Sequence, residues 1–316
     1  MKIAMVFPGQ GSQTVGMLGG LANEFSIIQS TFSEASAALG FDLWQLVQSG
    51  PDSALNLTEN TQPALLAASI ALYRVWRECG GREPDVVTGH SLGEFAALVC
   101  AEALAFPDAI RLVRFRGQAM QAAVPAGEGA MAALLGLEDD EVKRACASAQ
   151  QGQIVEAVNF NAPGQVVIAG HAAAVDRAIE GARALGAKRA VKLPVSAPFH
   201  SSLMQQAARQ FSQRLDGVAI SPPRYTFVSA ADTEIHAQPE DVRQALAAQL
   251  AAPVQWTKTV AALLAMGVTH AVEMGPGKVL TTLNRRIGRD AALVCMATDD
   301  AAGIRAAITQ LNGAQA

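Results

Sequence analysis

The feature that most constrains this chain is a serine between glycines, placed between a predicted strand and a predicted helix. Val86 and Val87 form a short apolar run, the turn reads Gly89-His90-Ser91-Leu92-Gly93, and apolar residues of helical spacing follow. Strand, sharp turn and helix are the setting of a nucleophile elbow, where glycines avoid clashes of Cβ atoms. The sequence therefore predicts that Ser91 forms a covalent acyl ester, and a serine that only caps the helix is the alternative.

The composition limits the class of protein. The chain has 316 residues, of which 50% are hydrophobic, and a formal net charge of −4, which argues against a general nucleic-acid binder. It has no apolar run of about 18 residues, so no membrane span is expected, and the N-terminal apolar run is too short for a signal peptide. The four cysteines match no metal-ligand spacing, so we expect buried free thiols and a cytoplasmic location.

Strand-length apolar runs alternate with longer helical patterns, which predicts an α/β fold with a mainly parallel sheet. The predicted strands are Ile3–Phe7, Val86–Thr88, Thr226–Val228, Ala271–Val272 and Ala292–Cys295. The predicted helices include Gln62–Cys79, Leu92–Ala101, Pro107–Val124, Ser202–Leu215, Pro239–Leu250, Val254–Met266, Val279–Ile287 and Gly303–Leu311.

A middle segment has a different order of elements, β-α-β-β-α-β, which is the ferredoxin-like pattern. Gly127-Glu128-Gly129 opens this segment, and Pro194 and Pro198 lie where the chain returns to the larger body. We therefore predict an α/β-hydrolase-like catalytic domain formed by residues 1–127 and 195–316, with a ferredoxin-like subdomain, residues 128–194, inserted into it.

Among the five histidines, His200 is the best candidate for a catalytic base. It lies in a loop before a predicted helix, at the seam of the two predicted domains, from which it could face Ser91 across a cleft. A structural role for His200 is an equally open alternative at this point. His90 adjoins the serine, but neighbouring side chains on a tight turn point apart. The other histidines, His171, His236 and His270, lie in the predicted subdomain, in a polar loop and at the start of a strand.

The loop after the first strand, Phe7-Pro8-Gly9-Gln10-Gly11-Ser12-Gln13, is predicted to lie at the same edge of the sheet as Ser91. An oxyanion hole needs two donors aimed at one oxygen. The backbone N–H of Leu92 is expected to be the first, and one from the Gln10 loop the second. A phosphate-binding loop is the alternative, and the lack of a Walker lysine and of the full glycine spacing weakens it.

Arg116 lies towards Leu112, Val113 and Met120 on an otherwise apolar predicted helix. An arginine on an apolar face needs a partner. The spacing favours a structural aspartate or glutamate, and the alternative is a substrate carboxylate bound by the two-pronged guanidinium.

Several motifs in one order resemble the malonyl-CoA:acyl carrier protein transacylase family, to which polyketide-synthase acyltransferase domains are closely related. The resemblance covers nearly the whole chain. The motifs are Gly9-Gln10-Gly11-Ser12-Gln13, Gly89-His90-Ser91-Leu92-Gly93-Glu94, Arg116-Gly117 with Met120, Val158-Asn159-Phe160-Asn161, Pro198-Phe199-His200, Gln249-Leu250 with Pro253-Val254-Gln255-Trp256, and Glu273-Met274-Gly275-Pro276-Gly277-Lys278-Val279-Leu280.

The resemblance implies malonyl transfer from malonyl-CoA to acyl carrier protein by a Ser-His dyad, in the supply of fatty-acid synthesis. It implies these roles: nucleophile for Ser91, general base and acid for His200, a base-orienting backbone carbonyl for Gln249, oxyanion N–H groups for Gln10 and Leu92, a malonyl-carboxylate clamp for Arg116, and substrate contacts for Asn159 and Phe199. For Arg116 this reverses the order of the two alternatives that the spacing gave.

The acidic surface of a carrier protein would need a local basic patch on this acidic chain. Lys188-Arg189 and Arg285-Arg286 are the best clusters, with ordinary solvated charges as the alternative. No cofactor, metal, nucleic acid or membrane is implied, and a monomer is expected. A hydrolase, a non-catalytic carrier-docking module, and a polyketide or malonate-decarboxylase acyltransferase stay open as alternatives.

Overall fold

The computed structural model describes residues 1–195 and 197–313. The strands are β1 (Ile3–Phe7), β2 (Val86–Gly89), β3 (Gly129–Leu135), β4 (Val155–Ala162), β5 (Gln165–His171), β6 (Arg189–Lys192), β7 (Thr226–Phe227), β8 (His270–Glu273) and β9 (Val294–Ala297). The helices are α1 (Gly19–Ala22), α2 (Ser26–Leu39), α3 (Leu43–Ser49), α4 (Asp52–Leu55), α5 (Thr58–Glu78), α6 (Gly93–Cys100), α7 (Phe106–Gln121), α8 (Asp139–Ala149), α9 (Ala172–Ala184), α10 (Gln205–Leu215), α11 (Pro239–Ala248), α12 (Trp256–Ala265), α13 (Val279–Ile287) and α14 (Ala301–Gly313). Short 3₁₀ turns form at Ser202–Met204 and Gln249–Ala251.

The larger sheet is parallel and has the strand order β7-β2-β1-β8-β9. Strand β1 lies in its centre and is buried along its whole length, as its unbroken apolar sequence predicts. At the carboxyl ends of β1 and its neighbour β2, Phe7 pairs with Gly89. The loops that follow, with Gln10 and Ser91, therefore begin side by side at one edge of the sheet.

Helices α5 and α7 pack against each other beside this sheet. Gly117 allows the close approach, since a Cβ atom there would lie 2.7 Å from the carbonyl oxygen of Thr58. This approach brings Arg116, the neighbour of Gly117 on α7, within hydrogen-bonding distance of Gln62 on α5.

The second sheet is antiparallel, with the strand order β4-β5-β3-β6, and α8 and α9 pack on it around a separate apolar core. The element order from β3 to β6 is the predicted β-α-β-β-α-β pattern. Strand β4 also joins the larger body, because the N–H of Phe160 donates to Val254 and that of Val254 to Val158. The domain limits predicted at residues 127 and 195 stay a prediction.

The predicted α/β architecture with an additional antiparallel unit is confirmed, and the differences lie at particular elements. The strand predicted at Ala292–Cys295 is observed at Val294–Ala297, because Ala292 lies in a turn with φ 53°. Helices α1 to α4 are missed by the apolar pattern, since α1 and α4 have four residues each and α2 is rich in serine. No helix in the described ranges is both long and apolar enough to cross a membrane.

Candidate active site

Ser91 lies on a strained turn between the end of β2 and the start of α6. Its φ is 54°, in the left-handed region that side chains other than glycine rarely adopt. A Cβ atom on Gly89 would lie 1.9 Å from the carbonyl carbon of Gly93, and one on Gly93 would lie 2.0 Å from the oxygen of Phe7. Both positions therefore require glycine, which gives the local geometry of a nucleophile elbow.

His200 faces the serine. Its Nε2 lies 2.7 Å from Ser91 Oγ, and its Nδ1 lies 2.9 Å from the backbone oxygen of Gln249. Because a carbonyl oxygen can only accept, Nδ1 carries the proton and Nε2 is free to accept from the serine hydroxyl. Burial, and then the nearby Arg116 cation, lower the pKa of His200 to about 3, so the ring is neutral and able to act as a base.

The loop of His200 is fixed from two sides. His200 has a φ of 65°, and Ser201 Oγ donates to the backbone oxygen of Pro198 at 2.7 Å. The carboxylate of Glu156, on β4, accepts from the N–H of Ser202 at 2.7 Å and from its hydroxyl at 2.9 Å. The antiparallel sheet thus helps to hold the catalytic loop.

Arg116 is 2% exposed and points at the same site. Its Nη1 donates to Gln62 Oε1 at 3.0 Å, and its Nη2 donates to Ser91 Oγ and to Gln249 Oε1, both at 2.9 Å. Within the described ranges none of these acceptors is a carboxylate, so the structural Asp or Glu partner that the spacing favours is not found. Burial lowers the pKa of Arg116 to about 10, and the guanidinium stays charged at neutral pH.

Gln10 and Leu92 border the same small cavity, of about 110 Å³. In the described part of the chain, neither backbone N–H donates to another protein group, as oxyanion donors require. The cavity is lined by Gln10, Gln62, His90, Ser91, Leu92, Arg116, Met120, Met131, Asn159, Leu193, Phe199 and His200.

Asn159 and Phe199 are brought to this cavity as well. Asn159 lies at an irregularity in the pairing of β4 with β5, and its buried Oδ1 accepts no hydrogen bond from any described residue. Phe199 is 8% exposed. The structure therefore brings Ser91, His200, Arg116, Gln249 and the predicted oxyanion and substrate-binding residues together at one site.

Comparison with known proteins gives the site its context. The sequence matches the acyl transferase domain family over residues 4–310. The malonyl CoA-acyl carrier protein transacylase of Escherichia coli K12 is 54% identical over 90% of this chain and 93% of its own length. The chain belongs to the acyl transferase family. The resemblance found in the sequence is thereby confirmed.

Solved structures of related acyltransferases have the same fold. The acyl-carrier-protein S-malonyltransferase of Burkholderia pseudomallei is 51% identical, covers 98% of this chain and 100% of its own, and superposes with a TM-score of 0.95. A malonyl-transacylase in complex with a type II polyketide-synthase acyl-carrier protein is 50% identical over 98% of this chain and 100% of its own, with a TM-score of 0.96.

Two residues of this site cannot be identified from local patterns in the sequence. Gln62 supports Arg116 from 54 positions away, and no spacing within one element can reveal such a contact. Glu94 is 1% exposed in the first turn of α6, with Oε1 2.6 Å from the N–H of Ala230 and Oε2 2.8 Å from Gln249 Nε2. The sequence shows that Glu94 stands three residues after Ser91, but it does not show that the side chain is buried or which groups it bonds to.

The remaining histidines differ in position. His90 borders the cavity, yet its Nε2 bonds to Asn161 Oδ1 at 2.8 Å rather than to any atom of Ser91, so the two side chains diverge as predicted. His171, His236 and His270 do not border it and bond to Ile154, Asp232 and Thr269.

The predicted basic clusters are exposed at the surface. Lys188 and Arg189 lie at the start of β6. On α13, Arg285 donates to the backbone oxygen of Cys295 at 3.1 Å, and Arg286 donates to Pro163 at 2.9 Å and to Gln165. No group of three or more possible metal-ligating side chains occurs within residues 1–195 and 197–313.

Proposed function

We propose that this acyltransferase moves a malonyl group from malonyl-CoA to the phosphopantetheine thiol of acyl carrier protein, for fatty-acid synthesis. One observation carries the proposal. A buried, charged Arg116 lies 2.9 Å from the same Ser91 Oγ that meets His200 Nε2 at 2.7 Å. A fixed cation beside the nucleophile suits an acyl group that ends in a second carboxylate. The related E. coli and B. pseudomallei proteins, and the malonyl-transacylase in complex with a polyketide-synthase carrier protein, are themselves named for malonyl transfer.

The first half-reaction forms the malonyl-serine ester. Nε2 of His200 takes the Ser91 proton as Oγ attacks the thioester carbonyl, and the N–H groups of Gln10 and Leu92 bind the oxyanion. The intermediate then collapses, the C–S bond breaks, and the leaving thiol takes the proton back from His200. The backbone oxygen of Gln249 holds the ring in the required tautomer at 2.9 Å.

Arg116 is proposed to select the malonyl group. In the free site its Nη2 donates to Ser91, and in the complex its N–H groups bind the malonyl carboxylate instead. Gln62 holds its Nη1 and Gln249 its Nη2, so the guanidinium is placed before the substrate arrives. An acetyl group leaves this buried cation without its anion, a difference of roughly 2–5 kcal/mol, or tens- to thousands-fold in rate.

The second half-reaction runs the same chemistry in reverse with the carrier-protein thiol as the nucleophile. The free Oδ1 of Asn159 is proposed to accept from an amide N–H of the pantetheine arm, which both substrates share. The exposed clusters Lys188-Arg189 and Arg285-Arg286 are proposed to dock the acidic carrier protein.

We propose that the chain works as a monomer in the cytoplasm. Ser91, His200, Arg116 and Gln249 all come from one chain, so the site needs no residue from a second copy. The four cysteines are free thiols, which agrees with a reducing compartment.

The deciding experiment is the intact mass of the protein after brief mixing with malonyl-CoA and then with holo acyl carrier protein. The proposal predicts a malonyl adduct that passes to the carrier protein. An adduct lost at the same rate to water alone would identify a hydrolase. No adduct from malonyl-CoA or acetyl-CoA would refute the proposed reaction.

A further inference from the structure

Gln249 connects the base to the substrate clamp. Its backbone oxygen accepts from His200 Nδ1, and its side-chain Oε1 accepts from Arg116 Nη2, both at 2.9 Å. Its Nε2 donates to Glu94 Oε2 at 2.8 Å, and the residue is 2% exposed. A single buried residue therefore contacts the base through its backbone and the cation through its side chain.

Glu94 helps to fix the orientation of the Gln249 carboxamide. Rotation of the amide by half a turn would exchange its oxygen and nitrogen and direct an NH₂ group at the Arg116 guanidinium, which has only donors. A carboxylate on the other side accepts hydrogen bonds and so selects the orientation with the NH₂ group towards Glu94. The oxygen then faces Arg116.

Glu94 is itself held rigidly. Its second oxygen, Oε1, accepts from the backbone N–H of Ala230 at 2.6 Å. Burial, and to a lesser degree the charge of Asp232, raise the pKa of Glu94, whereas the hydrogen bonds from Ala230 and Ser229 and the charge of Arg116 lower it. Because both of its oxygens accept hydrogen bonds in this arrangement, Glu94 acts here as the carboxylate. Glu94 also lies in the first turn of α6, three residues after Ser91, and its N–H donates to the backbone oxygen of Ser91 at 3.1 Å.

We propose that Glu94 is a positioning residue. It fixes the Gln249 carboxamide, so that the side-chain oxygen of Gln249 holds Arg116 and its backbone oxygen stays in place for His200. It touches neither substrate nor reacting atoms. The inference rests on the proposed malonyl transfer and adds to it the group that orients the clamp.

The first variant is Glu94→Gln. The new amide can accept with one oxygen only, and the Ala230 N–H competes for it. Its NH₂ group then faces that of Gln249, which favours the rotated amide and removes the Gln249 acceptor from Arg116. We expect malonyl-serine formation to slow by about 10- to 100-fold, the loss of one hydrogen bond to a charged group, and the preference for malonyl over acetyl to fall with it.

The reciprocal variant, E94Q/Q249E, separates positioning from general support of the fold. The new carboxylate at position 249 accepts from the new amide with one oxygen and from Arg116 with the other, and the net charge is unchanged. We expect it to recover most of the rate and of the malonyl preference that E94Q loses. A merely structural role for Glu94 predicts no such recovery.

The matched control is Glu273→Gln. Glu273 is a fully buried carboxylate at the end of β8 and accepts from the N–H groups of Leu280 and Thr281, away from the site. We expect E273Q to lose stability without changing the malonyl-to-acetyl ratio.

Rates are read from intact mass in single turnovers, after circular dichroism has tested the fold. E94Q with wild-type rate and preference overturns the inference, and so does a double variant that is unfolded or as slow as E94Q. Failure of the wild-type protein to form a malonyl adduct refutes the proposed function instead, so the two failures are distinguishable.

Discussion

The chemistry of this site depends on two residues whose backbone conformation is unfavourable. Ser91 and His200 have φ values of 54° and 65°, a conformation that costs about 1–3 kcal/mol at each position. The surrounding hydrogen bonds and the glycines of the elbow offset that cost. The strain directs Oγ and Nε2 at each other at 2.7 Å, which an unstrained turn and loop would not do.

Replacement of Ser91 by alanine should abolish the acyl-enzyme, because no other hydroxyl in the described part of the chain lies 2.7 Å from His200 Nε2. The variant should keep its fold, since Ser91 is only part-buried. Intact mass after mixing with malonyl-CoA tests this, with circular dichroism as the control. Substantial labelling of Ser91→Ala would show that the nucleophile has been wrongly assigned.

Replacement of Arg116 by alanine should remove malonyl transfer and raise the relative rate of acetyl transfer. The malonyl carboxylate would lose its cation at a cost of roughly 2–5 kcal/mol, whereas an acetyl group loses nothing. The measurement is the ratio of acylation rates from malonyl-CoA and acetyl-CoA. Arg114→Ala is the matched control, because Arg114, on the same helix, bonds to Asn60 outside the cavity. An unchanged ratio in Arg116→Ala would refute the clamp.

The rate of acylation should be independent of pH between about pH 5 and 7. A histidine with its ordinary pKa of 6.5 would protonate in this interval and stop accepting the serine proton. Because burial and Arg116 lower the pKa of His200 to about 3, its base form persists on acidification. Acylation time courses, quenched at set times at each pH, test this, with circular dichroism on the same samples as the control. An apparent pKa near 6.5 in folded protein would contradict it.

At the scale of elements, close packing decides where the catalytic groups stand. The elbow could be predicted from the sequence because its strand, glycines and helix are contiguous. The partners of Arg116 could not, since Gln62 and Gln249 lie 54 and 133 positions from it. The predicted helix Pro239–Leu250 ends at Ala248, and the 3₁₀ turn beginning at Gln249 gives that residue its double role. Helical spacing carries no signal for such a change of turn.

Gly117→Ala should destabilise the protein by about 1–3 kcal/mol, a typical cost of overpacking, and weaken malonyl selection. The new Cβ would lie 2.7 Å from the Thr58 oxygen and push α7, with Arg116, away from Gln62. Urea unfolding and the malonyl-to-acetyl ratio measure the two effects.

The matched control is Gly181→Ala, in the middle of α9, where the nearest atom to a new Cβ is 3.9 Å away. This change should stabilise the helix by roughly 0.5–1 kcal/mol and leave selection unchanged. Equal effects of the two substitutions would mean that close packing at Gly117 does not place the clamp.

At the scale of the molecule, the antiparallel sheet is connected to both segments that hold the base. Glu156 on β4 binds Ser202, two residues after His200, and the same strand pairs with Val254, five residues after Gln249. The order of elements was predictable from the sequence. These cross-connections were not, because a strand pattern shows which residues are buried and not which distant segment its edge will meet.

The carrier protein should bind to this chain through positive charge on the surface of the acyltransferase. If Arg285 and Arg286 dock its acidic helices, R285E/R286E should raise the KM for carrier protein by about tenfold or more and leave the KM for malonyl-CoA unchanged. Salt should raise the wild-type KM for carrier protein and have little effect in the variant.

R144E/R183E is the matched control, since both arginines are at least half exposed and pair with a glutamate on their own helix. A parallel reversal, K188E/R189E, tests the second cluster. Because Arg286 also bonds to Pro163 and Gln165, unchanged malonyl-enzyme formation must accompany the effect for docking to be its cause. An unchanged KM for carrier protein in R285E/R286E would exclude that cluster as the docking surface.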